Sequence, residues 1–349
     1  MNLLAAALAG DPDALATLAA DPASAELAHH HRIAPALALQ AKRLGIDGPA
    51  VALWHRSLLA EAAFLLRVEE RLAVAAAALG DAGVPWVLIK GCDLAFRVYE
   101  RPEERPFGDI DLLVAEHDYP RAKAALAAAG WGAFFAGERS ESYLLEEGYA
   151  WALVDSAGLL VEVHLRLWGL VPAGLAPALL AAAAPDPSLG ITGRRLPLAH
   201  AWLLAAVHGW LNPPPRPLIS WWDLERIGAA DPGIAIVAAA LAEVWDLQLP
   251  AGLAAAQAAE LWGSEPNRAI AERLLGGLRL PERLIARRAP SLRAIVLARL
   301  LSGRASRAGW RSLPRQVWAH PGVVEQETLP DRPWAARRIT HVLRALRVL

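Results

Sequence analysis

The segment 107–114, Phe-Gly-Asp-Ile-Asp-Leu-Leu-Val, most constrains what this chain can fold into. Successive side chains of a strand point to opposite faces, so Asp109 and Asp111 would share one face of a strand and the intervening apolar residues the other. Aspartate is depleted in strands, and two like charges on one face repel each other. We therefore expect something in the fold to compensate these two charges.

A divalent cation is one way to compensate them. Magnesium prefers oxygen ligands, usually one or two carboxylates plus the phosphates of a substrate. The alternative is a strand whose polar face carries two solvated aspartates. A motif this short leaves both interpretations open.

Composition excludes a disordered chain, because 55% of the 349 residues are hydrophobic and 20% are charged. This length is enough for two domains or three small ones, and the excess of alanine and leucine favours helices. The single cysteine, Cys92, excludes an intrachain disulfide and indicates a reducing compartment. No apolar run reaches the roughly 18 residues of a membrane span, and the N-terminus lacks a basic signal region. We expect a soluble, cytoplasmic protein with no membrane span.

The net charge of −1 is unevenly distributed. Residues 283–349 contain 14 arginines and three acidic residues, a net charge of +11, so the rest of the chain carries −12. A basic segment of this kind can meet nucleic acid, an acidic partner or a membrane surface. It lacks the interleaved aromatic residues of a nucleic-acid groove, so a solvated helix face is the simpler interpretation.

Residues 1–80 are predicted to be helical. Between 58 and 76 apolar residues recur at helical spacing, while charged residues such as Glu61 lie largely on the opposite face. Gly80 and Gly83 are expected to end this helix. The triplet His29–His31 is expected at the surface or at a helix cap, because adjacent residues on a helix point in different directions.

A second candidate site follows the apolar run 86–89, which is typical of a buried strand. The run is followed by Lys90, Gly91 and Cys92, and a helix is expected to begin near Asp93. Free backbone N–H groups and the helix dipole favour an anion at a helix N-terminus, and glycine lets the backbone approach a phosphate closely. Since no complete Walker loop is present, an ordinary strand-to-helix turn is the alternative.

A third acidic position lies on a later predicted strand, 159–167. Its apolar residues take one face, and the other face carries Glu162, His164 and Arg166. Further strands are predicted at 131–135 and 149–154, so residues 80 to 168 form a small α/β unit. From Pro172 onward the pattern is helical again, with helices at about 199–211, from 220, and at 233–262, 264–278, 281–302 and 333–348. His200 and His208 are simplest to interpret as packing histidines.

Taken together, these elements resemble the nucleotidyltransferase superfamily of the DNA polymerase beta type. In that superfamily a glycine-bearing turn precedes an acidic pair on one strand, and a neighbouring strand supplies a third carboxylate. More specifically, the chain resembles the bacterial "uncharacterised nucleotidyltransferase" family. The matching positions are Lys90-Gly91, Tyr99, Arg105, Asp109 to Val114, Glu162-Val163-His164, the His208 helix and the Trp222-Asp223 pair.

The resemblance implies an α+β fold, with a small nucleotidyltransferase-type mixed β-sheet and helices, flanked by N-terminal and C-terminal helical regions. The pattern along the chain places the N-terminal helical region at 1–80 and the nucleotidyltransferase α/β core at 81–170. Residues 171–349 are then a C-terminal helical domain with a basic C-terminal part.

The function implied by the resemblance is Mg-dependent transfer of an NMP group from an NTP such as ATP to an acceptor hydroxyl, with release of pyrophosphate. One or two Mg²⁺ ions and the NTP are the implied cofactor and co-substrate. The resemblance implies metal binding by Asp109, Asp111 and Glu162, and catalysis by these three with His164. It implies nucleotide binding by Lys90, Gly91, Cys92, Arg105 and Gly108. Accessory positions are implied at His208, Trp222 and Asp223.

Two positions depart from the superfamily pattern. The turn is Gly91-Cys92 where a Gly-Ser or Gly-Gly pair is usual, and the third carboxylate is Glu162 instead of an aspartate. The alternative function is therefore a catalytically weak or inactive nucleotidyltransferase-fold module that docks a peptide, protein or RNA partner. A helical scaffold with incidental acids is a further alternative, against which the clustering of these residues argues. The acceptor, which can be a small molecule, peptide, protein or RNA, is not identified by the sequence.

Overall fold

The computed structural model describes residues 2–134, 150–167, 174–211, 216–279 and 282–283. Within them lie α-helices and a seven-stranded mixed sheet, so the predicted α+β fold is confirmed. The chain divides into two compact units. The helical unit comprises the described residues of 1–74, 89–108 and 196–277, and the sheet unit comprises those of 75–88, 109–195 and 278–283.

The helices are numbered in chain order. They are α1 (Asn2–Leu8), α2 (Pro12–Ala20), α3 (Ser24–His30), α4 (Ala34–Leu44), α5 (Pro49–Asp81), α6 (Lys90–Val98), α7 (Tyr119–Ala128), α8 (Leu175–Ala182), α9 (Leu198–Leu211), α10 (Ile219–Ala230), α11 (Ile234–Val244), α12 (Gln248–Trp262) and α13 (Glu265–Gly276). Short 3-10 turns lie at Pro102–Glu104, Glu116–Asp118 and Pro187–Leu189.

The sheet has the strand order β3-β4-β5-β2-β1-β7-β6. Its strands are β1 (Trp86–Ile89), β2 (Asp109–Val114), β3 (Gly132–Ala133), β4 (Ala150–Val154), β5 (Leu160–His164), β6 (Ala184–Pro185) and β7 (Gly193–Arg195). β2 pairs in parallel with β5, and β1 with β7. The pairs β3–β4, β4–β5 and β6–β7 are antiparallel.

The parallel register of β2 and β5 sets the positions of the predicted acids. Asp111 lies opposite Glu162, and Leu113 lies opposite His164. The alternate residues of β5, Val161 and Val163, are fully buried. β2 lies in the middle of the sheet and is buried on both faces beyond its first residue. The strand is therefore more enclosed than a strand with one solvated face.

The segment 184–195 differs from the helical pattern expected there. It forms β6 and β7, and β7 pairs with β1. Pro185, Pro187 and the positive φ of Gly190 interrupt any helix in this segment. Strands of two and three residues are too short to show an alternating pattern, so the sequence gives no sign of them.

Helix α5 ends where its glycines predict. Gly83 has a φ of 62°, and the N–H of Val84 donates to the carbonyl oxygen of Leu79 at 2.9 Å. The predicted apolar face of α5 is only partly correct, because Leu59 and Leu66, which were assigned to it, are each 70% exposed. Glu61, expected on the solvated face, is instead half-buried.

The predicted helix 233–262 is two helices, α11 and α12. The break lies at Trp245–Leu247, where Asp246 has a φ of 56° and the N–H of Leu247 donates to the carbonyl oxygen of Ala242 at 2.7 Å. This αL residue closes the first helix in the way a glycine normally does. The sequence carries no glycine there, so the break has no local signal.

No single helix among the described residues is long and apolar enough to cross a membrane. Among them, α1 and α2 reach that length and apolar composition only when they are counted together, and the pair is bent. The predicted helix 333–348 lies outside the described residues. The predicted helix 281–302 lies outside them except at Glu282 and Arg283, and the basic segment 283–349 lies outside them except at Arg283. Phe135 and Tyr149 of the predicted strands also lie outside them.

We expect Val163→Ala to lower the free energy of unfolding by about 2 kcal/mol, because it removes two buried methyl groups from β5 and leaves a cavity. Urea unfolding followed by circular dichroism measures the change. The matched control is Val237→Ala on α11, which removes the same atoms from a side chain that is 49% exposed and should change stability little. Equal stability of the two variants would contradict the burial of β5.

Candidate active site

The β2–β5 ladder gathers three potential metal ligands. Asp111, Glu162 and His164 each offer one ligand atom, and these atoms all lie within 4.8 Å of one another. In the part of the chain that the structure describes, no other group of three or more such side chains meets this criterion. Asp111 and His164 are buried, whereas the side chain of Glu162 is 30% exposed. We call these three residues the acid–histidine cluster.

His164 lies between the two carboxylates. Its Nε2 is 2.7 Å from Oδ1 of Asp111 and 3.5 Å from Oε2 of Glu162. Ionised carboxylates only accept hydrogen bonds, so Nε2 carries the proton and donates it to Asp111. This bond fixes the orientation of the buried Asp111 carboxylate, as side chains behind a metal ligand commonly do.

The cluster fits a divalent cation held by oxygen. The two carboxylates are the ligands that Mg²⁺ prefers, whereas an imidazole nitrogen suits transition metals better. A buried carboxylate needs compensation for its lost hydration, and the hydrogen bond from His164 contributes to it. Asp111 and Glu162 are therefore the residues that would hold a magnesium ion, with His164 supporting them.

Asp109, the other predicted ligand, is placed differently. It is the first residue of β2, lies opposite Leu160 and is half-buried. It is not a member of the acid–histidine cluster. Its metal-binding role stays a prediction.

In the helical unit, the predicted phosphate turn has an unusual backbone. α6 begins at Lys90, directly after Ile89, and Lys90 has a φ of 59°. Left-handed backbone costs a residue with a Cβ roughly 1 kcal/mol, and such strain is often found at functional sites. The strand-to-helix turn was predicted, but the strain at the lysine was not.

Gly91 is required by close packing. A Cβ on this residue would lie 2.5 Å from Nη1 of Arg105 and 2.9 Å from the Cβ of Phe107. The sequence suggested that this glycine makes room for a phosphate. In the structure it makes room for a guanidinium.

Arg105 is held by Asp223. Its Nε donates to Oδ1 of Asp223 at 3.1 Å, and its Nη2 donates to Oδ2 at 2.7 Å. The guanidinium therefore binds the carboxylate through two parallel bonds. The hydroxyl of Tyr99 also donates to Oδ1, at 2.7 Å. Burial, followed by the charge of Asp223, raises the pKa of Tyr99 well above its usual value, which keeps this hydroxyl protonated. We call Tyr99, Arg105 and Asp223 the arginine clamp.

A model of the family described as uncharacterised nucleotidyltransferase matches residues 21–263. The chain belongs to this nucleotidyltransferase family. The match spans the acid–histidine cluster and the arginine clamp, and it confirms the family resemblance seen in the sequence. The chain matches no curated protein.

The remaining predicted site residues have the following positions in the structure. Cys92 is fully buried in the first turn of α6, whereas Gly108 is exposed in the loop before β2. His208 is half-buried on α9. Trp222 packs against Trp262 with ring centroids 5.0 Å apart. Asp223, one of the accessory residues, bonds directly to Arg105, a predicted nucleotide-binding residue of the helical unit.

The sequence did not single out Glu61 as a functional residue. Its carboxyl group accepts a hydrogen bond from the backbone N–H of Phe107. Burial raises the pKa of Glu61 to about 7, although that hydrogen bond and the charges of Arg105 and Arg32 oppose the increase. Its position on an amphipathic helix pointed to solvent, and only the fold brings the loop at 107 against it.

We expect Gly91→Ala to destabilise the protein by about 1–3 kcal/mol, because the new methyl group must displace Arg105 or Phe107. Thermal unfolding monitored by calorimetry is the measurement. Gly276→Ala is the matched control, since a Cβ there meets no atom within 4 Å. A melting temperature of Gly91→Ala equal to that of the control would show that Arg105 is not packed against residue 91.

We also expect Glu61→Gln to alter the pH dependence of stability. Because the pKa of Glu61 is raised from about 4.5 to about 7 on folding, the wild type keeps its full stability below pH 4.5 and loses part of it as the pH rises through 7. Glutamine does not titrate. The variant should therefore gain on the order of 2 kcal/mol relative to wild type between pH 5 and pH 8, since water still screens part of the carboxyl group.

Urea unfolding at both pH values measures this gain. Glu70→Gln, on the exposed part of the same helix, is the control and should follow the wild type at both pH values. A constant difference between Glu61→Gln and wild type would mean that the Glu61 carboxyl titrates alike in the folded and unfolded chains.

Proposed function

We propose that this protein transfers an NMP group from an NTP to an acceptor hydroxyl, with Mg²⁺ and with release of pyrophosphate. The observation that carries the proposal is the β2–β5 register, which sets Asp111 against Glu162 with His164 bonded to Asp111. Membership of the nucleotidyltransferase family supports it. Phosphoryl-type transfer demands positioning and charge neutralisation more than covalent chemistry from the protein, and such a cluster provides both.

Asp111 and Glu162 would hold one or two magnesium ions, joined by Asp109 from the start of β2. Such an ion, when bound, neutralises phosphate charge and stabilises the attacking and leaving oxygens. Glu162 is the partly exposed member of the cluster, so we assign it as the acceptor of the proton from the substrate hydroxyl. His164 already donates from Nε2 to Asp111, and we assign it a positioning role.

The nucleotide phosphates would bind Lys90 and the backbone amides of Gly91 and Cys92 at the N-terminus of α6, with Gly108 leading into β2. Arg105 adds positive charge, and Asp223 holds it in place. In the reaction, the acceptor oxygen forms a bond to the α-phosphorus. The bond from the α-phosphorus to the bridging oxygen breaks, and pyrophosphate leaves with the electron pair.

The alternative is a module that binds nucleotide or a partner and transfers nothing. Cys92 favours this alternative, because a buried cysteine after Gly91 presents no hydroxyl to a phosphate. Calorimetry with Mg-NTP separates the two proposals when combined with mass spectrometry of a lysate incubated with labelled NTPs. A mass gain of one nucleotide on an acceptor supports transfer and identifies the acceptor class and the preferred NTP.

We expect the double variant Asp109→Asn, Asp111→Asn to lose Mg-dependent nucleotide binding and at least about 100-fold of transfer activity, because neutral amides replace the carboxylate ligands. Of the single variants, Asp111→Asn should cost more, since Asp111 belongs to the acid–histidine cluster and Asp109 does not. Calorimetry and release of labelled pyrophosphate measure these effects.

The control for this prediction removes the same number of charges elsewhere. Glu69→Gln with Glu70→Gln changes two exposed acids on α5 and should leave binding and transfer unchanged. Circular dichroism must show that the aspartate variants remain folded. Undiminished transfer by the folded double variant would eliminate this site assignment.

A further inference from the structure

The helical unit contains a cavity of about 470 Å³ whose lining includes Gly108 but none of the proposed metal ligands. Its walls include Pro35 and Phe107, and its polar lining includes His29, His30, Arg32 and Glu61. This volume lies within the range of small-molecule sites, which combine apolar walls with a few convergent polar groups. We call it the Glu61 cavity.

Glu61 brings an unsatisfied acceptor to this cavity. Its carboxyl group accepts a hydrogen bond from the N–H of Phe107, yet its Oε1 is buried and has no hydrogen-bond partner among the described residues. A buried polar atom without a partner costs about 1–3 kcal/mol. Oε1 is closed to solvent, so a bound molecule would reach it only after the carboxyl group turns toward the cavity. An N–H or O–H group of that molecule would then satisfy Oε1 and remove this cost.

Arg32 is held at the cavity by a strained, anchored turn. It has a φ of 56°, and its N–H donates to the carbonyl oxygen of His29 at 2.9 Å. The neighbouring His31 is buried, and its Nδ1 accepts from the N–H of Leu218 at 3.2 Å while its carbonyl oxygen accepts from Ile219 at 3.3 Å. These bonds fix the backbone of the turn that carries Arg32 beside the cavity.

The polar lining therefore combines a hydrogen-bond acceptor with a positively charged group. Glu61 supplies one acceptor, Arg32 supplies positive charge, and the two exposed histidines supply further hydrogen-bonding groups. Phe107 is buried and packs edge-on against Phe64, with ring centroids 5.5 Å apart, which makes the apolar wall rigid. A ligand matched to this lining carries a hydrogen-bond donor at one end and an anion at the other.

We propose that the Glu61 cavity binds a small molecule that donates an N–H or O–H to Oε1 of Glu61 and places an anionic group against Arg32, His29 and His30. Two sources share this chemistry. One is an amino acid with its ammonium and carboxylate groups, and the other is a nucleoside monophosphate with an exocyclic amine and a phosphate. Assigning the first as acceptor or the second as part of the NTP rests on the proposed function, whereas the binding itself does not.

The experiment is calorimetry in buffer with EDTA, using probes that differ in one group. L-alanine is compared with propionate, which lacks the ammonium and has no other hydrogen-bond donor, and with L-alanine methyl ester, which lacks the carboxylate. AMP is compared with purine riboside 5′-monophosphate, which lacks the exocyclic amine and has no ring N–H in its place. We expect one parent probe to bind, and each of its altered forms to bind at least 10-fold more weakly. The parent that binds identifies the source.

Variants assign that binding to the cavity. Glu61→Ala and Arg32→Ala should each weaken binding of the parent probe at least 10-fold. Their matched controls, Glu70→Ala and Arg56→Ala, change exposed residues of α5 and should bind as the wild type does. If Glu61→Ala does not fold, Glu61→Gln keeps the side-chain size and should still weaken binding of an ammonium ligand.

The proposal is overturned if neither parent binds, if an altered probe binds as tightly as its parent, or if Glu61→Ala binds like the wild type. Asp111→Asn separates this outcome from failure of the proposed function. That variant should lose nucleotide transfer and keep the metal-free binding of the probe. Loss of both would place the probe at the acid–histidine cluster and overturn the assignment to the Glu61 cavity.

Discussion

The parallel pairing of β2 with β5 is the constraint on which the candidate active site depends. The side-chain period of a strand is two, so a shift of one residue would turn Glu162 and His164 away from Asp111. The fully buried Val161 and Val163 prevent that shift, because it would expose them and bury the acids without a partner. The apolar core and the geometry of the acid–histidine cluster are thus set by the same hydrogen-bond ladder.

The arginine clamp plays the corresponding part in the helical unit. It joins Arg105 to Asp223, 118 residues later in the chain, through two parallel bonds. Such a buried pair adds little net stability, because desolvation offsets much of the attraction, but loss of one partner leaves a buried charge uncompensated. The pair therefore selects one arrangement of α6, α10 and the loop before β2, and Gly91 permits it by lacking a Cβ.

The sequence predicted the elements whose signals are local. The alternation in 107–114 and 159–167 gave both strands and the shared face of Glu162 and His164, and the family pattern gave the α+β fold. The sequence could not show that Asp223 binds Arg105, because that contact joins distant segments. β6 and β7 were missed because they are too short for periodicity. Glu61 was expected in solvent because its burial depends on a loop some 46 residues further along the chain.

The loop 105–108 connects these observations along the backbone. Arg105 is fixed by Asp223, the N–H of Phe107 bonds to Glu61, and Gly108 then leads directly into Asp109 at the start of β2. Consecutive Cα atoms are about 3.8 Å apart, so two residues give the chain little slack between Phe107 and Asp109. Two residues of this one loop are thus bonded to α10 and to α5, two helices that no local sequence pattern relates to it.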